Sequence, residues 1–190
     1  MFARTPRLLL RPGWREDAQA LTAAIGDFAI VSRLAHAPWP YTLDDAEAFL
    51  ATDHGPLPNF LIFARTLGAP RLVGGIAFAS GEGGVELGYW IARPYWGLGF
   101  ATEAGRAMID IADHCLRVPR LTAGHFSDNA ASGRVLAKLG FQPTGRVSTR
   151  ICRARDAVVN CVDFERPAFA TGRVGDDVRI GYDREEAMAA

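Results

Sequence analysis

The chain has 190 residues, 49% of them hydrophobic, which suits one globular domain whose core needs no disulfide or metal staple. Lys+Arg and Asp+Glu both number 21, so the basic excess that would neutralise many nucleic-acid phosphates is missing and no nucleic-acid partner is expected. Cys115, Cys152 and Cys161 form no CxxC pair and lie in or beside apolar periodic segments. They read as buried thiols of a reducing, cytoplasmic setting with no metal site, a Cys152–Cys161 cross-strand contact being the one pairing to consider.

Before Arg11 and Pro12 the only apolar run is Leu8-Leu9-Leu10, far short of a signal-peptide core or a membrane span, so neither export nor a membrane is expected. Arg7 to Arg11 reads as a short strand, broken by Pro12-Gly13, and Glu16 to Ile25 as a helix with Ala18, Leu21 and Ile25 on one face. The stretch Leu34 to Tyr41 carries His36, Trp39 and Tyr41 among prolines, a shaped loop whose rings would either line a substrate pocket or pin the loop to the core. Thr42-Leu-Asp-Asp45 then opens a second helix with a capping-box pattern in which Asp replaces Glu.

Phe60 to Arg65 and Arg71 to Ser80 are strand-like runs joined by the turn Leu67-Gly-Ala-Pro70, and Gly81-Glu-Gly-Gly84 leads into a third run, Val85 to Ile91. From Ala101 to Leu116 small and apolar residues recur every three or four positions opposite Glu103, Arg106, Asp110 and Asp113, an amphipathic helix. Leu121 to Phe126 reads as a strand, Ala130 to Leu139 as a helix closed by Gly140, and Val147 to Arg153 with Val158 to Phe164 as a final hairpin. Residues 1–169 are thus expected to form one domain, and 170–190, polar and weakly periodic, a peripheral or poorly ordered extension.

The chemically informative stretch is Trp90-Ile-Ala-Arg-Pro-Tyr-Trp-Gly-Leu-Gly-Phe-Ala-Thr-Glu-Ala104. A strand here passes through Gly97 and Gly99 into the amphipathic helix, so backbone N–H groups and the positive end of the helix dipole converge on one spot suited to a pyrophosphate. On local grounds a tight structural turn is an equal reading. A dinucleotide fingerprint does not fit, because Thr102 stands where the third glycine would be and the turn follows hairpin strands.

Trp96-Gly-Leu-Gly-Phe-Ala101 resembles the Gln/Arg-x-x-Gly-x-Gly/Ala signature of the GNAT acetyltransferases, with Trp96 at the usual Gln or Arg position. The form Tyr-Trp-Gly-x-Gly-Phe-Ala-Thr-Glu-Ala is similar to the branch of ribosomal-protein N-terminal acetyltransferases. A second block, Ser127-Asp-Asn-Ala-Ala-Ser132 through Leu139-Gly-Phe141, resembles the family's Asn-x-x-Ser…Leu-Gly-Phe segment. The resemblance spans about Arg7 to Phe164. It implies an α/β (α+β) fold with a mixed, mainly antiparallel sheet of six to seven strands flanked by about four helices, in the order β-α-α-β-β-β-α-β-α-β-β.

The resemblance further implies acetyl-CoA as cosubstrate, held by Ile91, Trp96, Gly97, Leu98, Gly99, Phe100, Ala101 and Thr102, with Asn129 on the pantetheine arm and Ser132 near the sulfur. The tyrosine acid of other branches has no counterpart, since Leu136 takes its place. Transfer to an amine needs a base for the ammonium and a group to stabilise the leaving thiolate. Glu86, on the strand before the turn, reads either as a base of raised pKa or as a solvent-facing strand residue. His125 reads as a proton shuttle or a packed structural residue.

His36, Trp39, Tyr41 and Trp90 would form the acceptor side. No activated cysteine is indicated, so the expectation is direct attack by a primary amine, a protein N-terminus or a small molecule, in a monomer or homodimer. The alternatives are a CoA-binding module without turnover and a transferase using a longer acyl-CoA.

Overall fold

The structure, a computed structural model, describes residues 1–65, 68–81, 83–167 and the backbone of 179–181. Leu67, Glu82 and most of the 170–190 extension named above lie outside the described residues. The strands are β1 (Phe2–Arg4), β2 (Leu8–Arg11), β3 (Asn59–Ala64), β4 (Arg71–Gly81), β5 (Gly84–Ile91), β6 (Arg120–Phe126), β7 (Gln142–Cys152), β8 (Ala157–Pro167) and β9 (Arg179–Gly181). The helices are α1 (Ala18–Ile25), α2 (Phe28–Val31), α3 (Leu43–Ala51), α4 (Phe100–Asp110) and α5 (Ala130–Lys138).

Among the described residues the strands form one sheet in the order β7-β8-β6-β5-β4-β3-β2-β1-β9. The mixed, mainly antiparallel α/β fold stands as expected, with more strands because β1 and β9 add a short edge pair. The amphipathic helix expected to run to Leu116 is α4, continued by a π-helical turn over Ile111–Leu116. The capping pattern at α3 is realised: the Thr42 hydroxyl accepts from Asp45 N–H at 3.2 Å and the Asp45 carboxylate accepts from Thr42 N–H at 2.9 Å.

Alternation along the strands assigns the two faces. Leu8, Leu10, Phe60 and Ile62 pack with Ala104, Met108 and Leu136 of α4 and α5, whereas Leu61 and Phe63 pack with Leu21, Val31 and Ala46 of α1 to α3. The sheet is therefore a middle layer covered on both sides.

One junction departs from this regularity. Strand β5 pairs with β4 along its whole length, from Gly81↔Gly84 to Gly74↔Ile91. With β6, its parallel neighbour, β5 shares only Val85↔Leu121 and Glu86↔Thr122. Beyond that point β6 stays paired with β8, so the sheet splits into a wedge. The facing backbone groups of β5 in the wedge are left without a strand partner.

Candidate active site

The glycine turn sits at the wide end of this wedge. Gly97 and Gly99 both have positive φ, 78° and 80°, a left-handed conformation that side chains with a Cβ resist. Gly99 is the N-cap of α4, and the helical bonds there begin with Glu103 N–H to the Gly99 carbonyl at 3.0 Å. The amides of Phe100, Ala101 and Thr102 thus end the helix without intrahelical acceptors, and the dipole adds positive potential there.

Trp96 has a clear local role, since its indole N–H donates to the Ile91 carbonyl at 2.6 Å and ties the turn to the end of β5. A second tie crosses from the N-terminal strands. Glu103 accepts from the Thr5 hydroxyl at 2.6 Å, from Arg7 N–H at 3.0 Å and from Arg7 Nε at 2.6 Å, while Arg7 Nη1 donates to the Leu98 carbonyl at 3.0 Å.

Two cavities meet at the wedge. The one at the glycine turn, about 330 Å³, is lined by Ile91, Trp96, Gly97, Gly99, Phe100, Ala101 and Thr102, together with Asn129 and Ser132 of the α5 start. Its charged lining is Arg33, Arg134 and Lys138, with no carboxylate, so its electrostatics suit a polyanion. Leu98, expected among these residues, is 51% exposed and lies outside the lining.

The larger cavity, about 580 Å³, includes Glu86, Trp90, His125, His36 and Tyr41. Arg33, Leu34, Tyr89, Trp90, Asn129 and Ser132 line both cavities and form the passage between them. Trp39, expected on the acceptor wall, stands outside it and packs edge-on against Phe28 with ring centroids 5.4 Å apart.

At the passage the Tyr89 hydroxyl donates to the Ser132 carbonyl at 3.1 Å and lies 2.7 Å from Ser132 Oγ. Burial pushes the Tyr89 phenol up to about 12, against the opposing hydrogen bond from Ser132. Asn129 occupies the N-cap position of α5, but its side chain makes no capping hydrogen bond, which leaves it available to the passage. Leu136 is fully buried in the core.

Glu86, read from sequence as a base or a solvent-facing strand residue, is ion-paired: its Oε1 accepts from Arg150 Nη1 of β7 at 2.5 Å. Burial opposes the charge on Arg150, yet the bond and attraction to Glu86 outweigh it and raise its pKa. His125 points Nδ1 at the Phe126 carbonyl, 2.8 Å away, so that nitrogen carries the proton. Its ring rests on Phe164, and a Cβ at Gly133 would lie 2.7 Å from Nε2.

None of Cys115, Cys152 and Cys161 is in a disulfide. Cys152 faces Ala157 across the hairpin and Cys161 faces Ser148, so the two are not cross-strand partners. Burial pushes the Cys161 thiol up, which disfavours a thiolate at this wall of the larger cavity.

Tyr89, Arg150 and Arg33 were missed by sequence reasoning. Tyr89 shares the parity of core residues Leu87 and Ile91, so it reads as packing, and the signal was its hydroxyl, which must find a partner when buried. Among the described residues there is no cluster of three or more potential metal ligands, and no helix is long and apolar enough to cross a membrane.

Residues 7–142 match the model of the acetyltransferase (GNAT) domain family. The uncharacterized N-acetyltransferase YnaD of Bacillus subtilis (strain 168) is 29% identical over 149 residues, 76% of this chain and 85% of YnaD. YoaA of the same strain, also an uncharacterized N-acetyltransferase, is 38% identical over 78 residues, 40% of this chain and 44% of YoaA. The match to YjcK covers 49% of that protein, so the chain spans about half the length of these two relatives.

Among solved structures, a GNAT-family acetyltransferase from Bacillus anthracis superposes with a TM-score of 0.76 at 24% identity, covering 88% of this chain and 98% of that one. RimL, a ribosomal L7/L12 alpha-N-protein acetyltransferase solved with coenzyme A, gives 0.73 at 17% identity, covering 86% and 96%. Spermidine N-acetyltransferase from Vibrio cholerae, solved with CoA and spermine, gives 0.69 at 17%, covering 85% and 95%. At these identities the likeness is one of fold.

Proposed function

Since the chain belongs to the acetyltransferase (GNAT) domain family, we propose that it is an acetyl-CoA-dependent N-acetyltransferase that moves an acetyl group directly onto a primary amine. The observation that carries this reading is the meeting of two cavities at one passage: a cationic one under a helix N-terminus and a larger one beyond it, with Tyr89, Trp90, Asn129 and Ser132 between. The pyrophosphate would lie on the amides of 97–102, with the pantetheine arm in the wedge, where β5 has no β6 partner beyond Glu86 and the Asn129 side chain makes no capping bond. The thioester would then reach Ser132.

The amine arrives from the larger cavity. Its nitrogen attacks the thioester carbonyl, the C–N bond forms, and the C–S bond breaks with its electron pair on sulfur. Glu86, held in place by Arg150, takes the ammonium proton through water before attack, the second nitrogen proton passes through solvent to the departing sulfur to give the CoA thiol, and Ser132 stabilises the thiolate until then. A thiol has a reference pKa of about 8.5, well below the value of about 12 for Tyr89. The Tyr89–Ser132 pair therefore stabilises the leaving sulfur by hydrogen bonding and does not hand over its own proton. His125, with Nδ1 committed to the main chain, packs the underside of α5.

The assignment of Glu86 is tested by Glu86→Gln. Turnover is expected to fall on the order of 10²-fold with acetyl-CoA binding preserved, whereas His125→Gln changes it only a few-fold. Superimposable pH–rate profiles for wild type and Glu86→Gln would remove Glu86 from the mechanism.

Calorimetry tests the cosubstrate. Acetyl-CoA is expected to bind in the range of ~1 μM to 1 mM common to enzyme substrates, and a chain that binds no CoA species would overturn the reading.

A further inference from the structure

The charge balance of the larger cavity is a separate observation. Its lining holds three arginines, Arg33, Arg150 and Arg153, against two carboxylates, Asp45 and Glu86. Both carboxylates are already engaged. Glu86 is paired with Arg150, and Asp45 accepts from both the backbone N–H and the hydroxyl of Thr42 at the start of α3.

On the cationic side, Arg150 is neutralised, but among the described residues the side chains of Arg33 and Arg153 form no hydrogen bond or ion pair. Arg33 lies at the passage, its guanidinium 5.0 Å from the Trp96 ring centroid, on the cofactor side. Arg153 stands at the far end, feeling Asp45 only through space. Its backbone N–H donates to the Ala35 carbonyl at 3.0 Å, which fixes the β7–β8 turn against the loop carrying His36.

A cavity with surplus positive charge repels an acceptor that is only cationic and rewards one that brings its own anion. An arginine with no protein partner also keeps its N–H groups open to a carboxylate of the ligand. The geometry points to an acceptor that carries a carboxylate as well as its amine, with Arg153 as the group that receives that carboxylate while the amine faces Glu86 and the passage. This rests on the acetyltransferase reading given above. The shared chemistry has two sources: the α-carboxylate of a free amino acid, or an acidic side chain close behind the N-terminus of a peptide.

The test is acetylation by the full chain of matched acceptors, followed as kcat/KM. One arm compares free amino acids with their amides. A second compares N-terminal peptides bearing Glu at the second or third position with the same peptides bearing Gln, and spermidine serves as the purely cationic control.

A charged hydrogen bond of the usual strength predicts that the carboxylate member of at least one arm is favoured by about tenfold or more, and the arm that shows it names the source. Arg153→Gln should bring that ratio toward one, and Arg153→Glu should shift preference toward spermidine; Arg153 is exposed, so neither change threatens the core. Equal rates for acid and amide members, a preference for spermidine in the wild type, or a ratio untouched by either variant would overturn the inference while leaving the acetyltransferase reading intact. Thiol release with none of these amines would overturn the inference, and only silence across a wider panel that includes aminoglycosides would overturn the acetyltransferase reading as well.

Discussion

Replacing Gly99 with valine is expected to lower acetyl-CoA affinity by about 10²-fold or more. A left-handed backbone costs a residue with a Cβ about 1–2 kcal/mol, and a β-branched side chain tolerates it worst. At φ 80°, valine would either keep the turn at that cost or rotate the peptide and scatter the amides that converge there. The strain alone amounts to roughly a tenfold loss, and the scattered amides supply the rest. Gly99→Asn is the informative companion, because asparagine visits the left-handed region readily and should retain most of the affinity. Calorimetric titration of both variants reads the effect, and thermal melting shows whether the fold is kept. Unchanged binding in Gly99→Val would take this turn out of the site.

The second large effect is expected at the passage. Ser132→Ala should reduce kcat on the order of 10²-fold, with the KM for acetyl-CoA within a few-fold of wild type, because the hydroxyl acts on the departing sulfur and not on the phosphates. Tyr89→Phe removes the partner 2.7 Å from that hydroxyl and should cost about three- to tenfold, the net worth of one hydrogen bond. The double variant should be no slower than Ser132→Ala alone, since Tyr89 acts through Ser132.

The pH dependence separates a positioning tyrosine from a titrating one. Burial holds the Tyr89 phenol at about 12, so it stays protonated through pH 9. The profiles of wild type and Tyr89→Phe should therefore run parallel between about pH 6 and 9. A kcat for Ser132→Ala equal to that of wild type would leave the leaving group without its stabiliser in this account.

The elements that sequence made legible share a cause: their signals are local. Helix α4 shows its three- and four-residue spacing over eleven residues, and the turn before it needs glycine at two positions of positive φ, so both can be read without knowing the fold. Strand β1, with three residues, and helix α2, with four, are too short to display a period.

The site was less legible wherever a partner lies far along the chain. Glu86 and Arg150 are 64 residues apart, and no pattern within β5 announces that its carboxylate is paired. Tyr89 and Ser132 are 43 apart, and Tyr89 sits in phase with core residues. The wedge itself follows from β5 and β6 sharing two register pairs and no more, a non-local property that alternation in either strand does not encode. In the loop from Leu34 to Tyr41, sequence offered three aromatic candidates. Only the fold separates His36 and Tyr41, on the cavity wall, from Trp39, turned onto Phe28.

If the two cavities form one catalytic passage, the full chain turns over. The full chain is incubated with acetyl-CoA and a panel of N-terminal peptides, free amino acids, polyamines and aminoglycosides, with thiol release and acetylated amine both quantified. At least one primary amine is expected to gain an acetyl group in equal amount to the CoA thiol released, and Ser132→Ala to slow both together. Acetyl-CoA bound tightly by calorimetry, with no thiol released and no amine modified across the panel, would contradict it and leave a CoA-binding module.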